Sequence, residues 1–157
     1  MSNYIFKFVL LKKITCMSNY IEIPFITLRG YAVPLLKGEM ECPKIGGNLL
    51  IYALPDSGSR FSLINRKTLN ECFDNPEERY LDTVVLTNLN LHTKRYKLKF
   101  HFVELNEDFE IPVAEADFGE IGGIYPSLIL GRDDFFSRVT ICFDKNVKLL
   151  VKINSLV

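Results

Sequence analysis

Asp56 is the residue of this sequence best placed to do chemistry. It follows the apolar run Leu50-Ile51-Tyr52-Ala53-Leu54-Pro55 and opens the small-residue stretch Asp56-Ser57-Gly58-Ser59. Ser57 and Ser59 offer hydroxyls at short range, and Gly58 permits a backbone conformation or a close approach that a side chain would block. A carboxylate held by local hydrogen bonds can serve as a general acid or base. Far downstream, Ser127-Leu128-Ile129-Leu130-Gly131-Arg132-Asp133 brings a second apolar run to a glycine. Together the two runs suggest one site with Asp56 at its centre. Taken alone, Asp-Ser-Gly-Ser is more often an ordinary surface turn, because these residue types dominate turns for reasons unrelated to catalysis.

The elements that must position Asp56 read as strands. Residues 49–54 are apolar and too short for an average helix, and Pro55, which has no N–H for a ladder, should end that strand. Ile21 to Leu28 reads as an edge strand interrupted by Pro24, with a turn at Arg29-Gly30 before Tyr31 to Leu36. Lys37-Gly38-Glu39 reads as a hairpin connection, and Pro43 with Gly46-Gly47-Asn48 as another break. After the Asp56 turn, Phe61 to Ile64 is a short apolar strand, and Asn65 caps a brief helix through Phe73. Leu81 to Leu91 changes its polar spacing at Thr87-Asn88, which predicts two strands joined by a turn. Tyr96, Leu98, Phe100 and Phe102 alternate with Lys97, Lys99 and His101, the pattern of a half-buried strand. A hairpin turning at Asn106 to Asp108 follows. Asp117 to Pro126 reads as a mobile glycine-rich loop, Arg132 to Ser137 as one or two helical turns, and residues 139–143 and 147–153 as a final hairpin. Gly131 should let the backbone pass close to the Asp56 turn.

In this order and at this separation, the motifs resemble those of the single-lobe, retroviral-protease-like aspartic proteases. Ala53-Leu54-Pro55-Asp56-Ser57-Gly58-Ser59-Arg60-Phe61-Ser62-Leu63-Ile64 resembles the family's catalytic turn and following strand. Leu128-Ile129-Leu130-Gly131-Arg132-Asp133-Asp134-Phe135-Phe136 resembles its second motif and short helix. The resemblance, from roughly Ile23 to Ile153, implies an all-β fold: a closed or partly open acid-protease β-barrel with one or two short helices. It implies Asp56 as the catalytic residue, Ser57, Gly58 and Ser59 as support for the turn, and Ile129, Leu130 and Gly131 as the neighbouring motif. Leu86, Thr87, Asn88, Leu89, Asn90 and Leu91 would take the place of the flap that closes over substrate. Such flaps usually carry a glycine at or near the tip; asparagine tolerates a left-handed turn less well.

Hydrolysis of this type needs two carboxylates sharing one proton, one drawing a proton from water while the other holds a proton toward the scissile carbonyl. The chain has one such turn, so the resemblance implies a homodimer with Asp56 from each copy, acting on an extended peptide or protein. The alternative is a non-catalytic protease-like domain for dimerisation or peptide binding, motivated by Pro55 and the unusual flap. No cofactor is expected. His92 and His101 lack the surroundings of a ligand cluster, so no metal is expected either. Arg132, Asp133 and Asp134 read first as structural ion pairs or helix caps.

The 157 residues suit one domain, the apolar share of 48% argues against a disordered chain, and the formal net charge of zero gives no global field for nucleic acid or anionic membrane. Cys16, Cys42, Cys72 and Cys142 form no CxxC pair and read as free thiols in a reducing compartment, which points to the cytoplasm. Tyr4 to Leu11 is apolar but too short to span a bilayer, and Lys7, Lys12 and Lys13 interrupt or flank it. Met-Ser-Asn-Tyr-Ile occurs at residues 1–5 and again at 17–21. Residues 1–20 therefore read as an N-terminal extension of uncertain role and residues 21–157 as one domain. Either Met17 is the true start or the first residues add an edge strand. A protein beginning at Met17 is expected to keep the core fold, as measured by thermal unfolding; a large fall in stability would show that Tyr4 to Leu11 is an integrated strand.

Overall fold

The computed structural model describes residues 19–119 and 126–154. The expectations for residues 1–16 and for the middle of the glycine-rich loop lie outside the described residues. In chain order the strands are β1 (Ile21–Pro24), β2 (Ile26–Leu28), β3 (Tyr31–Val33), β4 (Leu36–Cys42), β5 (Gly47–Pro55), β6 (Leu63–Asn65), β7 (Tyr80–Leu86), β8 (Leu91–Phe102), β9 (Glu107–Ala116), β10 (Leu128–Leu130), β11 (Val139–Asp144) and β12 (Lys148–Ile153). The helix α1 (Arg66–Cys72) follows β6, and a π-helical turn (Arg132–Phe136) follows β10.

Six strands close into a barrel in the order β4-β5-β10-β6-β9-β8, with β8 returning to β4 through Gly38 opposite Phe102 and Met40 opposite Phe100. Strand β7 extends beyond the barrel as the outer partner of β8. A separate sheet, β1-β12-β11, carries the two ends of the described chain, and β2 and β3 form a small hairpin. This is the all-β barrel with two short helices implied by the sequence.

The period-two pattern of β8 is the clearest link from sequence to core. Tyr96, Leu98, Phe100 and Phe102 are all buried. Phe102 meets Phe109 of β9 and Phe135 of the π-helical turn edge-on, with ring centroids at 5.4 and 5.5 Å. Asn65 caps α1 as expected, its side chain accepting the Lys67 N–H at 3.2 Å.

Three local expectations are corrected. Lys37-Gly38-Glu39 lies inside β4 and is not a connection, because the glycine serves barrel closure: a Cβ on Gly38 would meet the His101 carbonyl oxygen at 3.2 Å and Phe102 Cδ1 at 3.3 Å. The turn after β8 falls earlier than expected. Asn106 takes the left-handed conformation at φ 50°, and β9 already begins at Glu107. No cysteine among the described residues is a free thiol: Cys42 and Cys72 form a disulfide, because the end of α1 folds back beside the end of β4. Their separation of 30 residues encloses the whole Asp56 turn. By chain entropy such a closure is worth about 3–4 kcal/mol.

Phe102→Ala is expected to lower the unfolding free energy by about 3–5 kcal/mol. Denaturant titration checks this, and a loss under about 1 kcal/mol would show that the aromatic cluster does not depend on this ring.

Candidate active site

The Asp56 turn is held chiefly by backbone. Strand β5 runs parallel to β10, pairing Leu54 with Ile129 and Pro55 with Leu130. Pro55 therefore continues the strand by one residue beyond the expected end without disturbing it. The Asp56 N–H donates to the Leu130 carbonyl at 3.0 Å, and the Ser59 N–H donates to the Asp56 carbonyl at 3.1 Å. The Asp56 carboxylate accepts the Gly58 N–H at Oδ1, 2.8 Å away. A Cβ on Gly58 would sit 3.0 Å from that oxygen, so glycine leaves the carboxylate its room.

The two serines divide differently from expectation. Ser59 Oγ donates to the Phe61 carbonyl at 2.7 Å and braces the chain leaving the turn. Ser57 is exposed and makes no side-chain hydrogen bond among the described residues.

Behind the turn lies a buried support that the sequence reading passed over. Gly131 packs against the backbone of Phe61 and Ser62, five and six residues past Asp56, so tightly that a Cβ would overlap the Phe61 carbonyl group and lie 2.7 Å from the Ser62 nitrogen. The expected close approach is thus to this segment. The Gly131 N–H donates to the buried Ser62 Oγ at 3.0 Å, and the Ser62 N–H donates to Asp134 Oδ2 at 2.7 Å. Burial pushes the Asp134 carboxyl above the ordinary aspartate range, against the lowering effect of the Ser62 hydrogen bonds and the positive charge of Arg95. Arg95 reaches Asp134 at 3.8 Å and Asp82 through two bonds of 2.7 and 2.6 Å. The hydrogen bond from Arg95 holds the Asp82 carboxyl below its usual range.

Further backbone bonds tie the second motif to the turn. The Arg132 N–H donates to the Ser59 carbonyl at 3.0 Å and the Asp133 N–H to the Arg60 carbonyl at 2.9 Å. Asp133 also pairs with Arg60 at 2.9 Å on the surface. Asp133 and Asp134 therefore have structural partners, as read from the sequence, whereas Arg132, read with them as part of a structural ion pair or cap, has no side-chain partner among the described residues.

In front of the turn is a cleft of about 570 Å³, with Asp56, Gly58 and Phe61 on one side and Val85, Leu86, Thr87 and Leu89 on the other. The latter residues come from the β7–β8 hairpin, whose tip is a short 3-10 turn over Thr87–Leu89. Asn90 supplies the left-handed residue there at φ 47° and ψ 41°. Asparagine adopts this conformation more readily than other side-chain-bearing residues, though less readily than glycine. Asp56 is the one carboxylate among the described residues lining the cleft. Among the described residues, no group of three or more His, Cys, Asp or Glu side chains could hold a metal ion, and no helix is long and apolar enough to cross a membrane.

Sequence reasoning missed Ser62, Arg95 and the cleft-wall residues Phe61, Leu63 and Val85. Ser62 carried one available signal, a polar residue inside a short apolar strand that has to find a buried partner.

No protein-family model and no curated relative matches the chain. Its fold is similar to the crystal structure of a retropepsin-like aspartic protease from Rickettsia conorii, at 13% identity and a TM-score of 0.54 over 87% of this chain and 95% of that one. The retroviral protease-like domain of Ddi1 from Leishmania major aligns with a TM-score of 0.43, at 13% identity over 80% of this chain and 98% of that one. The chain thus has a distant structural likeness to the retropepsin-like fold.

The raised Asp134 carboxyl sets a pH dependence of stability. A folded-state pKa above the unfolded value favours folding while the group is protonated, and that contribution is lost as pH rises through the folded pKa. The stability of the wild type relative to Asp134→Asn is therefore expected to fall as pH rises from below the ordinary aspartate value of 3.8 and to level off above the raised one. Denaturation midpoints of both proteins across pH check the sign; a difference that grows with pH would overturn it.

Proposed function

We propose that the chain is an aspartic endopeptidase that works as a homodimer, with Asp56 of each copy meeting at a two-fold axis. The observation that carries this reading is the Asp56 carboxylate held by the Gly58 N–H at the mouth of a cleft, with its own N–H bonded to Leu130 of the second motif. In this reading residues 21–157 form one domain, and an extended peptide lies as an added strand between the Asp56 turn and the Thr87–Leu89 tip. Residues 86–91 close over it. Gly58 and Ser59 hold the turn, and Ile129, Leu130 and Gly131 fix its height against β10.

Two carboxylates brought together this closely share one proton. One Asp56 takes a proton from the attacking water while its partner gives a proton to the scissile carbonyl, and the resulting tetrahedral adduct collapses with proton transfer to the leaving amine. Water is the nucleophile, and no covalent enzyme intermediate forms. The reading places no demand on Ser57, whose exposed hydroxyl is free to face substrate. The cytoplasmic setting expected from free thiols loses that support to the Cys42–Cys72 disulfide, since such bonds persist mainly in oxidising compartments.

Asp56→Asn is expected to abolish peptide hydrolysis while leaving fold and dimer intact, because asparagine keeps the shape but neither shares the proton nor acts as base. The measurement is cleavage of a diverse peptide library between about pH 4 and pH 7, with dimerisation of both proteins followed by sedimentation. Equal cleavage by the two proteins, or full activity from a stable monomer, would sink the reading. A wild-type dimer that cuts nothing would favour a non-catalytic peptide-binding or dimerisation domain.

A further inference from the structure

We infer that Arg132 is a specificity residue, selecting peptides that carry an acidic side chain close to the scissile bond among apolar neighbours; this rests on the endopeptidase reading above. The charged residues lining the cleft are Asp56, Arg60 and Arg132. Arg60 is engaged by Asp133 at 2.9 Å and also lies over the Phe61 ring at 4.9 Å. Arg132 has no ion pair, side-chain hydrogen bond or ring contact among the described residues. Other arginines of the barrel are committed: Arg66 to Glu115, Arg79 to Glu41, Arg95 to Asp82, and Arg138 over the Phe109 ring. An exposed arginine in water needs no partner. What sets Arg132 apart is that its uncommitted charge stands in the cleft that holds the candidate catalytic carboxylate.

The point from which its side chain departs is set by backbone hydrogen bonds. The Arg132 N–H bonds the Ser59 carbonyl, while two residues earlier the Leu130 carbonyl receives the Asp56 N–H. Arg132 therefore stands two residues beyond Leu130, the residue whose carbonyl holds Asp56, about two steps of extended chain at roughly 3.3 Å each, and lines the same cleft. An extended peptide crossing Asp56 would bring a side chain two or three residues from the scissile bond within reach of the guanidinium, which presents a planar fork suited to a carboxylate. The remaining wall supplies the apolar part of the selection. Leu89 and Val85 are 64% and 41% exposed, and with Phe61 and Leu63 they offer apolar surface to the flanking side chains.

The test is binding of acetylated, amidated octapeptides, each with an apolar background and one glutamate or one glutamine at a scanned position, to full-length Asp56→Asn protein at low salt. At one position glutamate is expected to bind about tenfold tighter than glutamine, the order of a charge-assisted bond, with the preference shrinking as salt rises. Adding Arg132→Gln should erase the preference, Arg132→Lys should retain part of it, and Arg132→Glu should invert it toward peptides with lysine at that position. The same peptides are given to the wild type for cleavage.

No binding by any peptide, no glutamate preference at any position, or an equal loss for glutamate and glutamine peptides on Arg132→Gln would overturn the assignment. So would a shift in the dimer dissociation constant on that substitution, which would make Arg132 a contact to the second copy. If the endopeptidase reading alone fails, the wild type leaves the peptides uncut while the glutamate preference in binding persists. If this inference alone fails, the wild type cuts glutamate and glutamine peptides at equal rates.

Discussion

The contact between Gly131 and the Phe61–Ser62 backbone is the constraint on which the rest of the structure depends. Strand β10 runs between β5 and β6, parallel to one and antiparallel to the other, and its last carbonyl accepts the Asp56 N–H. At Gly131 there is no space for a Cβ. A side chain there would force β10 away from β6, and the same movement would pull Leu130 away from Asp56. The barrel and the carboxylate are thus positioned by one close approach, secured on its buried side by Ser62 and Asp134.

A buried carboxylate is costly unless its oxygens are satisfied. Asp134 offsets part of that cost by accepting the Ser62 N–H and standing near Arg95, and through the Ser62 hydrogen bond it organises the chain that leaves the Asp56 turn. The outer strand β7 joins the same network, since Asp82 on β7 holds the other side of Arg95. A single guanidinium therefore connects the hairpin in front of the cleft to the support behind it. It also packs over the Phe61 ring at 5.0 Å, between the two.

Much of this was legible in the sequence, and what was not has specific causes. The alternation from Tyr96 to Phe102, the Asn65 cap and the order of the two glycine-bearing motifs are local patterns, and local patterns survive without knowledge of partners. Gly38 misled because glycine marks both turns and close strand contacts; only the return of β8 decides between them. Cys42 and Cys72 misled because a separation of 30 residues says nothing about which helix end meets which strand end. Ser57 and Ser59 look equivalent in the sequence, yet one faces solvent and the other bonds Phe61, a difference set by the direction in which the turn leaves β5.

These features separate two kinds of position around one cleft. Asp56 is oriented by the backbone N–H of Gly58 and by the carbonyl of Leu130, and those contacts do not depend on neighbouring side-chain identities as long as Gly58 and Gly131 leave room. The opposite wall is made of side chains that project from a hairpin of β7 and β8, where Val85 and Leu89 are exposed and bear little of the core. Substitution at the first set disturbs the barrel along with the carboxylate, so those residues are narrowly constrained by packing. Substitution at the second set changes the surface of the cleft at little cost to stability, since surface changes away from buried networks usually alter folding by under about 0.5 kcal/mol. Arg132 belongs to both kinds: its backbone N–H holds the turn through the Ser59 carbonyl, while its side chain, without a partner among the described residues, lines the cleft, where a substitution changes the cleft's charge and leaves the turn's backbone bonds in place.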